Sequence, residues 1–306
     1  MPSSSRLLAV TVCALASLLV PSGISHAQPA SVSDRFAAPG TAEVEKTVVP
    51  GTPPPSSCQF GGISEEADKP DPDVAMEVFS PAELGDSAAA HPVITFGNGS
   101  CATSKKYEPF LRHLASWGYV VTVANSDGTG DGVEMSKAMD WVIEQNSNPA
   151  SPFHNRIDTE HIGVLGHSQG AGGAVNATLH SAGRITSTAL MNLPDPRWVN
   201  GPGHDFDISR LESRTFMTTG SDDPVSTGAE QSSYFDALRV PSAKGQLVGV
   251  GHNWAPDGEG FRGYITAWFE HTLRANPEAA AAFVGGSPEL LDDQLWDQQA
   301  VVRLED

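Results

Sequence analysis

A chain of 306 residues with 39% hydrophobic content can bury one sizeable core, which sets it apart from disordered and fibrous compositions. Its 37 Asp and Glu against 18 Lys and Arg give a formal charge of −19, a surface that repels nucleic-acid phosphates and anionic membranes and so excludes them as partners. The three cysteines lie in no C-x-x-C or metal-ligand spacing, and neither a metal nor a cofactor is expected.

Residues 1–27 read as a secretory signal peptide, with Arg6 in a short basic region, an apolar stretch from Leu7 to Val20, and Ser25-His26-Ala27 as a small-x-small cleavage site. Pro21 stops the stretch short of the roughly 20 apolar residues of a spanning helix. Cleavage is therefore favoured over anchoring, and the expected product is exported, extracellular or periplasmic, with no integral membrane association. Residues 28–57 are rich in Pro, Ala, Ser, Thr and Val, end in Pro53-Pro54-Pro55, and read as a flexible lead-in to a domain over 58–306. Cys13 leaves with the signal. The remaining pair, Cys58 and Cys101, suits a disulfide in an oxidising compartment, with two buried thiols as the alternative. Glu65, Glu66, Asp68, Asp71 and Asp73 read as a solvated acidic loop rather than a cation site.

Residues 74–79 alternate apolar and polar side chains and predict a half-exposed strand. Residues 92–96 predict a buried parallel strand that runs into Gly97-Asn98-Gly99-Ser100, a turn suited to aiming a backbone N–H into a cleft, with Asn98 as candidate donor and Gly99 as the alternative. Phe110, Leu111, Leu114 and Trp117 mark a helix stopped by Gly118, and a strand follows at 119–123. The loop 127–132 has the glycines of a phosphate loop but no following Lys-Ser/Thr, and its Asp residues oppose phosphate; it leads into a helix carrying Met135, Ala138, Met139 and Val142.

An apolar run through Val164 and Leu165 then ends at Gly166-His167-Ser168-Gln169-Gly170, and Ala171, Ala174, Val175 and Leu179 give the helical stripe behind it. G-x-S-x-G between strand and helix is a nucleophile elbow, which pushes a serine hydroxyl clear of the sheet above a helix N-terminus. Further strands are predicted at 185–193, 214–219 and 246–250, and a tail from about 276, acidic with apolar spots, packs on the body. Strand and helix alternate, which implies an α/β fold: a mostly parallel central sheet flanked by helices on both faces. Behind the strand at 214–219 stand Asp222 and Asp223, of which Asp223 is the better placed acid. Behind the strand at 246–250 stands His252, the candidate base. His167 is expected to turn into packing, so losing it should be tolerated whereas losing His252 should not.

From about Cys58 to Arg274 the chain resembles the secreted polyester hydrolase, lipase and cutinase group of α/β-hydrolases, with features of chlorophyllase-like esterases. The resemblance rests on Phe96-Gly97-Asn98-Gly99, on residues 114–121, on Gly166-His167-Ser168-Gln169-Gly170, on residues 220–225 and on Gly251-His252-Asn253-Trp254. It implies a Ser168–His252–Asp223 triad, an oxyanion hole from the N–H groups of Asn98 and Gln169, and hydrolysis of short to medium acyl esters, small or polymeric, including polyester or cutin-like chains. The same triad serves an amidase, peptidase or other depolymerase, and a binding protein that has lost activity is the remaining alternative. The sequence departs from the group where Asn98 and Gln169 replace its usual Tyr and Met, and where Leu193-Pro194-Asp195 replaces its Pro-Trp; Trp254 or Trp198 could line the cleft instead. No lid domain fits between Ser168 and Asp223. The oligomeric state is left open, with a monomer as the default.

Overall fold

The computed structural model describes residues 30–56, 58, 69–84, 90–198, 203–253 and 257–304. In chain order the elements are α1 (Val32–Ala37), β1 (Val44–Pro50), β2 (Val74–Pro81), β3 (His91–Gly97), α2 (Ser104–Ser116), β4 (Val120–Ala124), α3 (Val133–Gln145), β5 (Ile157–His167), α4 (Gln169–His180) and β6 (Ile185–Met191). There follow β7 (Arg214–Gly220), α5 (Gly228–Ala237), β8 (Ser242–Leu247), α6 (Arg262–Arg274), α7 (Pro277–Ala280), α8 (Glu289–Asp292) and β9 (Trp296–Val302).

One nine-stranded sheet has the order β1-β2-β4-β3-β5-β6-β7-β8-β9. The strands from β4 to β8 in that order pair in parallel, and β1, β2 and β9 add antiparallel edges. Successive side chains of a strand face opposite sides, so Ile94, Val121 and Leu165 pack under Phe110 and Leu114 of α2 and Trp268 and Phe269 of α6. Their neighbours Val93, Val120 and Val164 pack under Met135 and Met139 of α3 and Ala171 and Val175 of α4. Helices thus cover both faces, and the architecture is the α/β-hydrolase fold, with no lid domain among the described residues.

Several expectations require correction. The segment 28–57 is not simply a flexible lead-in, for it carries α1 and β1. Phe36 is 1% exposed and packs on Trp117, and Val44 to Val49 pair with β2 as an edge strand, contacts that a Pro- and Ala-rich composition conceals. Strand β2 is buried from Met76 onward rather than half-exposed, since β1 closes its edge. The strand expected at 246–250 lies instead at Ser242–Leu247, and Val248 is exposed beyond its end. The tail from 276 supplies β9, which completes the sheet against β8. Glu289 in that tail accepts hydrogen bonds from the N–H groups of Val32 and Ser33, tying the two ends of the fold together. The signal segment and Glu65, Glu66 and Asp68 lie outside the described residues.

Helix α5 begins with a reciprocal cap: Thr227 Oγ1 accepts from the Glu230 N–H, and the Glu230 carboxylate accepts from the Thr227 N–H. Thr227→Ala is expected to cost about 1 kcal/mol in urea unfolding with turnover unchanged; an unaltered midpoint would show that the box adds nothing.

Candidate active site

The site is built at the carboxyl ends of β3, β5, β7 and β8, where the loops of a parallel sheet converge. Ser168 sits between β5 and α4 with φ 55° and ψ −125°, a strained conformation for a residue with a Cβ. The elbow is tight enough to exclude side chains on either side of it. A Cβ on Gly166 would fall 2.0 Å from the Gly170 carbonyl oxygen, and one on Gly170 would fall 2.1 Å from that of Gly97.

The structure brings Ser168, His252 and Asp223 into one hydrogen-bonded line. Ser168 Oγ lies 2.8 Å from His252 Nε2, and His252 Nδ1 lies 2.8 Å from Asp223 Oδ2. Because a carboxylate only accepts, Nδ1 carries the ring proton and Nε2 presents its lone pair to the serine hydroxyl. The Asp223 side chain is fully buried and well supplied with donors: Oδ1 takes the N–H groups of Val225 at 2.7 Å and Ser226 at 2.9 Å, and Oδ2 takes Asn192 Nδ2 at 2.7 Å besides the imidazole. Burial pushes that carboxyl up, but the His252 imidazole and the Asn192 and Ser226 donors outweigh it and hold the group below the usual carboxylate value. Asp222, the alternative acid, is exposed and accepts from Ser221 Oγ. Asn192, with φ 52° and full burial, is a site residue that sequence reasoning missed; its only signal is its place directly behind β6.

Both candidate oxyanion residues turn their side chains away from the cleft. Asn98 Nδ2 donates to the carbonyls of Ala124 and Ser126, and Gln169 Oε1 accepts from the Thr129 N–H. Thr129 Oγ1 also donates to the Asn98 carbonyl, so the loop at 127–132 braces both residues. The N–H of Gly99, the alternative donor, is already committed to Tyr107 Oη at 3.1 Å. Gln169 opens α4, where backbone N–H groups lack partners within the helix.

A cavity of about 260 Å³ opens at Ser168 and His252, lined also by Gly99, Tyr107, Trp198, Val225 and Asn253. Trp198 is 44% exposed at its edge; Trp254 lies outside the described residues. A larger cleft of about 510 Å³ lies at the opposite strand ends, between His91, Asp158 and Arg214. Cys58 and Cys101 form a disulfide that ties the chain ahead of β2 to the turn after β3. Among the described residues no group of three or more His, Cys, Asp or Glu is arranged to hold a metal, and no helix is long and apolar enough to cross a membrane.

A family model described as PETase, PET hydrolase-like, matches residues 74–246, from β2 into β8. The chain belongs to the PET hydrolase-like family. The matched span contains Asn98, Ser168, Gln169 and Asp223, and His252 follows it closely. The chain is also similar to Lipase 1 of Moraxella sp. (strain TA144), at 28% identity over 130 residues, 41% of this chain. That match spans about a third of the lipase, 35% of its length. The resemblance to the polyester hydrolase and lipase group read from the motifs therefore stands.

Proposed function

We propose that the chain is a secreted serine ester hydrolase that cleaves short to medium acyl esters, including the ester bonds of accessible polymers. The observation that carries this reading is the line from Ser168 Oγ through His252 to Asp223, both links at 2.8 Å, at the floor of an open cavity. In it His252 takes the serine proton during attack on the ester carbonyl and returns it to the leaving alcohol. Asp223 holds the tautomer and stabilises the imidazolium. The backbone N–H groups of Asn98 and Gln169 receive the oxyanion, each donor being worth roughly 3 to 4 kcal/mol. Water activated by His252 then releases the acid.

Membership of a hydrolase family and the likeness to a lipase favour an ester over an amide. A cavity of about 260 Å³ is small for a drug-sized ligand and suits the acyl part of a substrate whose remainder stays outside. The disulfide is compatible with an oxidising compartment, and we take residues 1–27 to be removed on export. The test is labelling with a fluorophosphonate probe, followed by a panel of soluble short-chain esters, long-chain triacylglycerols, anilides and solid polyesters. Labelling lost in Ser168→Ala, with fastest turnover of short-chain esters, is expected. An unlabelled intact protein would overturn the serine mechanism, and faster turnover of anilides would make it an amidase.

A further inference from the structure

His167 stands beside the nucleophile without entering the triad, and it is 2% exposed although its ring carries two polar nitrogens. Both are engaged. Nε2 lies 2.9 Å from the main-chain oxygen of His252, and Nδ1 lies 2.9 Å from Oη of Tyr107, itself 1% exposed. Tyr107 Oη in turn accepts from the Gly99 N–H at 3.1 Å.

The direction of every proton in this line follows from its ends. A carbonyl only accepts, so Nε2 of His167 carries the ring proton and Nδ1 is a bare acceptor. The Tyr107 hydroxyl must then donate to Nδ1, which leaves its lone pairs to the Gly99 N–H. Burial above all, followed by the neighbouring His252 and Lys106, holds His167 well below the usual histidine value and keeps the ring neutral. A second ring proton would meet the hydroxyl and break the bond that it donates to Nδ1.

The three anchors sit behind three different strands. Gly99 belongs to the turn after β3, next to Asn98; His167 ends β5 and is bonded to Ser168; His252 lies beyond β8. We propose that His167 and Tyr107 are positioning residues, a buried brace that holds the oxyanion turn and the main chain of the base at a fixed offset from the nucleophile. The proposal rests on Ser168 and His252 being nucleophile and base. The brace fixes the oxyanion turn and the base, whose interactions strengthen in the transition state, so its loss is expected in kcat more than in KM. Tolerance of His167 loss, the expectation from sequence, is withdrawn: alanine there breaks both links.

The test uses Tyr107→Phe, which keeps the ring packed on Phe96 and removes only the hydroxyl, and His167→Gln, whose amide N–H reaches the His252 carbonyl but offers Tyr107 no equivalent acceptor. Rates are expressed per fluorophosphonate-titrated site, so that misfolded protein does not count. Each variant is expected to lose about tenfold in kcat with KM within about twofold. Affinity for a boronic acid analogue of the tetrahedral intermediate should fall by the same factor, while product-acid inhibition stays unchanged. The double variant should be no worse than the worse single, because both changes break the same bond. Wild-type kcat in both singles, additive losses in the double, or unchanged boronate affinity would each overturn the brace. A titratable, active Ser168→Ala would instead remove the nucleophile reading beneath it.

Discussion

Replacing His252 by alanine is expected to cut kcat by about 10⁶-fold, with Ser168→Ala as severe and the double variant no worse than either. The three side chains act as one unit: a hydroxyl without a base is a poor nucleophile, and a base without the hydroxyl has no proton to take. Asp223→Asn is expected to cost about 10⁴-fold by a different route. The amide oxygen can keep the Val225 and Ser226 N–H bonds, but its NH₂ then faces Nδ1 of His252 and cannot accept from it. The imidazole must flip tautomer, which places a proton on Nε2 where the serine proton has to go. Asp222→Asn leaves kcat within about twofold, since that residue is exposed and its carboxylate bonds its neighbour Ser221. Steady-state kinetics on a chromogenic short-chain ester reads all five. Comparable losses in the two aspartate variants, or a larger loss in Asp222→Asn, would reassign the acid.

The strands at the centre of the sheet were legible because parallel strands covered on both faces read as near-continuous apolar runs, as Val93 to Phe96 and Ile162 to Leu165 do. Strand β8 was not, for Ser242-Ala243-Lys244-Gly245-Gln246 has no apolar run; it is a strand because β7 and β9 pair with it. Gly245 is needed there since a Cβ would lie 2.7 Å from the Trp296 ring, a constraint set by a residue far along the chain. The residues of the proposed triad were legible for a different reason: Ser168 follows directly on β5, and Asp223 and His252 stand in the loops beyond β7 and β8, so chain order alone suggests their convergence. Asn192, Thr129, Tyr107 and the role of His167 were hidden. His167 meets partners 60 and 85 residues away, and nothing within its own segment marks the contact.

Stability is expected to fall as pH drops from 6.5 toward about 4. One source is His113, which is 7% exposed between α2 and α6. Burial first, then the nearby Arg262 charge, lowers its value from 6.5 to about 4 against the weaker pull of the Phe36 carbonyl and Asp257. The folded protein thus refuses a proton that the unfolded chain accepts. The His113 contribution is complete above 6.5, erodes as the unfolded state titrates, and levels off near 4 once the folded ring is protonated too. At 1.36 kcal/mol per pH unit that window is worth about 3 kcal/mol. His167, lowered for the same primary reason, steepens the loss in the same direction. Asp223 acts in a separate, lower window: its folded value is depressed below 3.8, so its contribution is present above that value and disappears only as pH falls further. Urea unfolding across the range separates the two. His113→Gln keeps an N–H for the Phe36 carbonyl but cannot titrate, so its stability curve should run flatter between 6.5 and 4 while the steeper fall at lower pH remains. A variant whose curve runs parallel to the wild type would show that His113 is not the group that makes this fold acid-sensitive.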